Sequence, residues 1–305
     1  MQLLHLFIGL KEMQPVFRLH SGPDELQQIR EILPPHSKNL FFRQAIKIEL
    51  EHLYPTTKLE LYSYTTDEAT YWFAWKINKN TINHAYMCYV GKFNEDQIAE
   101  ALTMFVEATN PFNVPPLFVG EKIIIDEVEK YVTTHVPEML GKQNPTNMFY
   151  MTEAQMEMVE GLKLPPLPDG YVLGSSNPDT DAELITAMWV HAREGDVEET
   201  RSKLSCFPSS CIRYEGKPVA FEMVSQAGQL TALYVLKEHR GKGLGRIVEL
   251  DLCQKTIRFG MVVIKCVELF NTSLLDSTSR LPYWTKVKQD DGTDLINVYY
   301  DMEMK

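Results

Sequence analysis

The sequence predicts an α/β protein, on three observations. Apolar residues at helical spacing alternate with short runs rich in aromatic and β-branched residues along most of the chain. In the second half, three strand-like runs form a meander that leads into a glycine-rich junction and then a long helix. Between the halves, the stretch LPPLPDG at 164–170 puts three prolines within four residues and adds a glycine, the composition of a stiff linker. Length agrees with this division, since 305 residues accommodate two domains, each with its own core and without disulfide or metal staples. We therefore expect one region at 1–163 and a second at 164–305.

The first region reads as helices at 24–32 and 39–53. The second of these carries Leu40, Phe41, Ile46, Leu50 and Leu53 on one face and is stopped by Pro55. Strands follow at 58–64, 71–77 and 82–90. Asn94 then caps a helix running to Ala108, with Gln97 expected to reach back in a capping box. Residues 113–143, with Pro115, Pro116 and Pro137, read as irregular, and a short helix follows at 152–161. In the second region a strand at 171–174 precedes helices at 178–193 and 198–204. The meander comprises 211–214, 218–225 and 229–236, with turns at Glu215-Gly216 and Ala227-Gly228. A helix at 243–259, a buried strand at 261–269, a helix near 272–281 and a last strand at 295–300 complete the order.

Composition excludes several classes of function. A net charge of −11 argues against nucleic acid, which needs concentrated Lys and Arg, and 44% hydrophobic residues argue against disorder. Cys88, Cys206, Cys211, Cys253 and Cys266 form no CxxC pair and have no histidine at zinc-ligand spacing. We expect no metal, and free thiols in a reducing compartment. No apolar run reaches the roughly 18–20 residues that cross a bilayer. The N-terminal MQLLHLFIGLKEM has neither a basic flank nor a small-residue cleavage site, and Glu12 with the isolated Arg18 makes a poor organellar presequence. The expected location is cytoplasmic or mitochondrial, not secreted.

The chemistry is concentrated at Glu238-His239-Arg240-Gly241-Lys242-Gly243-Leu244-Gly245-Arg246, where a strand meets a helix. Three glycines in five residues leave backbone N–H groups open to approach, beside the positive end of the helix dipole. Arg240, Lys242 and Arg246 add charge, so a pyrophosphate is the natural ligand. The nucleotide P-loop pattern is absent, and GxGxxG fails because Arg246 and Val248 occupy the third glycine position. R-x-x-G-x-G fits, as Arg240, Gly243 and Gly245. It resembles the coenzyme A signature of the GNAT acyltransferases, and the surrounding element order resembles theirs. The segments LPDGYVLG at 167–174, FPSSCIRYEGKPV at 207–219 and QAGQL at 226–230 are similar to the glycine N-acyltransferase-like family. In that family a GNAT domain follows a degenerate N-terminal half. The resemblance therefore implies a GNAT fold in the C-terminal half and a degenerate second GNAT-like unit, without the phosphate motif, in the N-terminal half.

The resemblance also assigns roles. Arg240, Gly241, Lys242, Gly243, Leu244, Gly245 and Arg246 would cradle the pyrophosphate of acyl-CoA. Tyr234, Val235 and Leu236 would pair with the acyl-pantetheine chain, and a backbone N–H would polarise the thioester carbonyl. Asn271 is placed for the pantetheine arm or, equally, as the N-cap of the next helix. Glycine N-acyltransferases use a glutamate base eleven positions before the motif's arginine; here that residue is Gln229. A glutamine takes no proton, though it can hold a water or orient an amine. Glu222 on the adjacent strand is the substitute, although alternation places it with Ala220 and Val224, a pattern typical of a solvated edge. Tyr283 is the expected proton donor to the leaving thiolate, or a core aromatic beside Trp284. His239 reads as a loop residue.

The expectation is an N-acyltransferase moving an acyl group directly from acyl-CoA to a small amine acceptor, glycine or another amino acid first. Alternatives are acetylation of a polyamine or protein amine, and a non-catalytic acyl-CoA-binding protein that has lost its base.

Overall fold

The computed structural model describes residues 14–33 and 38–305, so the expectations about the N-terminal MQLLHLFIGLKEM lie outside the described residues. The first half runs β1 (Val16–His20), α1 (Pro23–Ile32), α2 (Leu40–Leu50), β2 (Thr57–Thr65), β3 (Ala69–Asn78), β4 (His84–Gly91), α3 (Glu95–Thr109), β5 (Leu117–Glu121), α4 (Lys122–His135), β6 (Met139–Tyr150) and α5 (Glu153–Gly161). The second half repeats the order. It runs β7 (Tyr171–Gly174), α6 (Pro178–Ala187), α7 (Asp196–Cys206), β8 (Ser209–Tyr214), β9 (Lys217–Val224), β10 (Leu230–Val235), α8 (Leu244–Arg258), β11 (Ile264–Glu268), α9 (Thr272–Ser279), β12 (Thr285–Lys286) and β13 (Ile296–Met304).

Local chemistry accounts for most of these boundaries. Asn94 caps α3 by accepting from the amides of Asp96 and Gln97 at 3.0 and 3.1 Å. The expected capping box is only half made. The Asn94 amide donates to the Tyr71 hydroxyl at 2.8 Å, and Gln97 turns to Thr66 and Tyr71 instead. A complete box forms at α5 between Thr152 and Gln155. Residues 113–143 are not irregular, since β5, α4 and the start of β6 occupy them. Their prolines sit in the connections, and β5 passes into α4 through Glu121 with no side-chain cap to announce a helix. The helix expected at 178–193 stops at Ala187, where tight turns from Trp189 to Thr186 and from Ala192 to Trp189 take over.

All strands among the described residues join one sheet, ordered β1-β2-β3-β4-β5-β13-β6-β11-β10-β9-β8-β7, with β12 against β6. The sheet runs straight through the sequence boundary at 163/164. The last strand, β13, returns to the first half and lies between β5 and β6, antiparallel to both. In turn β6 extends the second half by pairing with β11 from Ile264↔Tyr150 to Glu268↔Thr146. Each half thus lends a strand to the other. The core follows the sheet across the boundary, because Leu26, Phe41 and Ile46 of α1 and α2 share one apolar cluster with Met148, Ile264, Val287 and Leu295.

Candidate functional site

The site begins with a difference between the two halves. In the first, β4 and β5 pair in parallel over four residues, His84–Met87 against Leu117–Gly120. In the second, the equivalent β10 and β11 pair only at Leu230↔Lys265 and then part. The cause lies in β10. Its register with β9 slips between Thr231↔Met223 and Tyr234↔Phe221, so one extra residue bulges out, and Ala232 takes a positive φ of 57°. A bulge bends its strand, which opens a gap flanked by main chain.

This gap leads toward the glycine-rich loop. A short turn at Lys237–His239 follows β10, and Gly243 then enters α8 with φ +75°, a conformation that side-chain-bearing residues avoid. Leu244 is buried and anchors the turn, while Arg240, Lys242 and Arg246 stay exposed. The first helical hydrogen bond is Ile247 to the Gly243 carbonyl at 3.3 Å, so the amides of Leu244, Gly245 and Arg246 form the open first turn. Arg240 donates from Nε to the Val235 carbonyl at 3.0 Å, with its guanidinium 5.4 Å from the Tyr234 ring centre. Lys242 and His239 both meet the Tyr171 hydroxyl, at 3.0 and 2.8 Å. Open amides and three cations in a chain of net charge −11 suit a pyrophosphate. Each hydrogen bond to such an oxygen contributes about 1.5–3 kcal/mol.

Where β10 and β11 part, a cavity of about 310 Å3 lies between the halves. Gln229, immediately before β10, lines it, and the Tyr299 hydroxyl on β13 donates to Gln229 Oε1 at 2.8 Å. Glu222 also lines it but is buried rather than at a solvated edge, because α8 covers that face of β9. Burial, and secondarily the charge of Glu249, holds the Glu222 carboxyl well above the usual carboxylate range, with Lys265 opposing. Lys265 is committed to Glu249 at 2.7 Å, and Glu222 Oε2 has no hydrogen-bond partner among the described residues. Tyr283 is buried beside Trp284 and does not line the cavity; burial pushes its phenol up to about 12, while Arg246 pulls it back. Asn271 caps α9 through the Leu274 amide at 3.3 Å, as one of its two readings expects, and it also lines the cavity. Tyr234, Val235 and Leu236 stand beyond the bulge, nearer the loop, with Val235 paired to Ala220 on β9.

Other cavity residues escaped the sequence reading. His191 and Arg193 come from the α6–α7 connection, where His191 Nε2 lies 2.9 Å from Glu268 Oε1 and Arg193 pairs with Asp301 of β13. Because 178–193 reads as one helix, these two residues look like surface positions on it. Nothing in the sequence around 299–301 connects β13 with a site seventy residues earlier.

No family model matches the sequence. Solved structures do resemble the folded chain. A Drosophila protein matches 94% of this chain and 98% of its own at 13% identity, with a TM-score of 0.75. A tandem GNAT protein from the clavulanic acid biosynthesis pathway matches 95% of this chain and 98% of its own at 11% identity, TM-score 0.53. The fold is a GNAT fold in two units. A GCN5-related N-acetyltransferase from Kribbella flavida is similar over 85% of this chain and 94% of its own, at 15% identity and a TM-score of 0.50. Within this GNAT fold the bulged strand, the gap and the glycine loop occur together only in the second unit among the described residues.

Proposed function

We propose that this chain is an acyl-CoA-dependent N-acyltransferase of the glycine N-acyltransferase-like type. Its acceptor is the amine of a small molecule, an amino acid first. We assign binding of the cofactor to 164–305 and treat 1–163 as the degenerate unit. The observation that carries the proposal is the gap at the β10 bulge, which joins an anion-binding helix start to a cavity large enough for a small acceptor.

In this mechanism the loop from Arg240 to Arg246 holds the pyrophosphate, and Tyr234, Val235, Leu236 and Asn271 position the pantetheine chain. Bound acyl-CoA supplies the activated thioester. Gln229, fixed by Tyr299, orients the incoming amine. Burial, and after it the charge of Glu249, raises the Glu222 carboxyl well above the usual carboxylate range. The departing thiolate takes its proton from solvent, because Tyr283 is buried away from the cavity. No cysteine acts as nucleophile, since burial raises the thiols of Cys211 and Cys253. Five free thiols accord with the cytoplasm or the mitochondrion as its compartment. No helix among the described residues is long and apolar enough to cross a membrane.

The test is thiol release from acetyl- and benzoyl-CoA, each offered glycine, other amino acids and polyamines. Release that depends on amino acids supports the proposal, and preference for polyamines would move the acceptor class. Tight CoA binding without release for any acceptor would leave a binding protein and refute a transferase.

A further inference from the structure

Replacing the expected glutamate by Gln229 leaves the reaction without an obvious group to take the amine proton. Glu222 reaches the cavity from the α8 side of the sheet. Along β11, Lys265 points to the α8 face, where it meets Glu249, and Glu222 belongs to that same face. Cys266 and Glu268 point to the opposite face. There Tyr299 stands beside Cys266 and holds Gln229.

On this opposite face His191 and Glu268 stand together at the cavity. Glu268 lies three residues beyond the single contact Leu230↔Lys265, about 10 Å further along β11, where β10 has bulged away. The bulged Ala232, Leu233, Glu268 and His191 all line the cavity. Glu268 Oε1 lies 2.9 Å from His191 Nε2. An ionised carboxylate only accepts, so Nε2 carries the hydrogen and the lone pair falls on Nδ1.

The connection bearing His191 is held from three sides. Trp189 meets the imidazole edge-on at 6.0 Å between ring centres. Arg193 pairs with Asp301 on β13, and its amide donates to Asp196 Oδ2 at 2.7 Å. Asp196 in turn accepts from Thr81 of the first unit at 2.8 Å. Gly195, at φ +84°, packs so closely that a Cβ there would stand 2.1 Å from the Asn80 carbonyl oxygen. The first unit, which lacks the phosphate loop, thus fixes the residue that the second unit needs.

We propose that His191, oriented by Glu268, is the general base of the acyl transfer, acting where the family's glutamate is missing. This deepens the transferase proposal and rests on it. The amine nitrogen bonds to the thioester carbonyl carbon, its proton passes to His191 Nδ1, and the C–S bond breaks. The thiolate leaves and takes a proton from solvent. The titratable groups sharing the cavity with His191 are Glu268 and Lys265 of β11, Arg193 and Asp196 beside it, Lys203 of α7, Glu222 of β9, Glu249 of α8, His84 of β4 and Asp301 of β13.

The test compares full-length wild type, His191→Gln, His191→Ala and Glu268→Gln. His191→Gln should lower kcat/KM by on the order of 10²–10⁴ with unchanged acetyl-CoA affinity by calorimetry, and should abolish the acid limb of the pH profile. Glu268→Gln should shift that limb and cost less. Added imidazole should restore turnover to His191→Ala, which a merely structural histidine would not allow. An active wild type with His191→Gln within about threefold of it, and an unaltered pH profile, overturns the base assignment alone. A wild type with no acceptor-dependent release overturns the transferase proposal and the base with it.

Discussion

Glu222 is a carboxyl group that folding takes away from water and sets near a second carboxylate, Glu249, whose cation is already shared. Its proton affinity is raised in the fold above the ordinary value of 4.5, so the native state binds a proton that the unfolded chain releases. The resulting stability is present below that value and declines as pH rises from it toward neutrality. Glu222→Gln removes this dependence. Its melting temperature relative to wild type should therefore climb between pH 4.5 and 7, and a constant difference across that range would refute the assignment. At Gly243 the constraint is conformational. Its φ of +75° costs a residue with a Cβ about 1–2 kcal/mol, so Gly243→Ala should lower stability by about that amount, read as a lower melting temperature; an unchanged melting temperature would show that the turn relaxes without cost.

The bulge in β10 and the return of β13 are the two element-level features that build the site. β10 supplies the gap, while β13 delivers Tyr299 to Gln229 and Asp301 to Arg193. Tyr299→Phe deletes one buried hydrogen bond, about 0.5–1.5 kcal/mol of stability. It should raise KM for the amine while leaving KM for acyl-CoA unchanged; equal changes in both would mean that Tyr299 acts through the fold at large. Most elements were legible because their signals are local, such as the Asn94 cap, the Thr152 helix start and the alternating runs of the meander. The glycine loop was legible for the same reason. β5 and α4 were not, because they follow each other without a turn residue and their flanking prolines suggest irregular chain. Illegible too was the destination of β13, which pairs with strands more than a hundred residues away. Without that pairing, neither the contact of Tyr299 with Gln229 nor that of Asp301 with Arg193 follows from spacing.

At the scale of the molecule, the strand exchange makes the two units one folding unit. A chain ending at 295 would leave β5 and β6 without the neighbour that pairs with both, and would cut the core containing Val298 and Tyr300. It should lose cooperative unfolding in both halves by hydrogen exchange, whereas wild-type protection in the second half would show the units to be independent. The exchange also assigns unequal tasks to similar halves. One unit opens its sheet beside the glycine loop, and the other keeps its sheet closed and reaches Asp196 through Thr81. The central claim is therefore a single acyl-CoA site per chain, at the start of α8, and calorimetric titration of acetyl-CoA tests it most directly. We predict one site per chain, abolished in Gly243→Asp. Two sites, or binding untouched by Gly243→Asp, would contradict it.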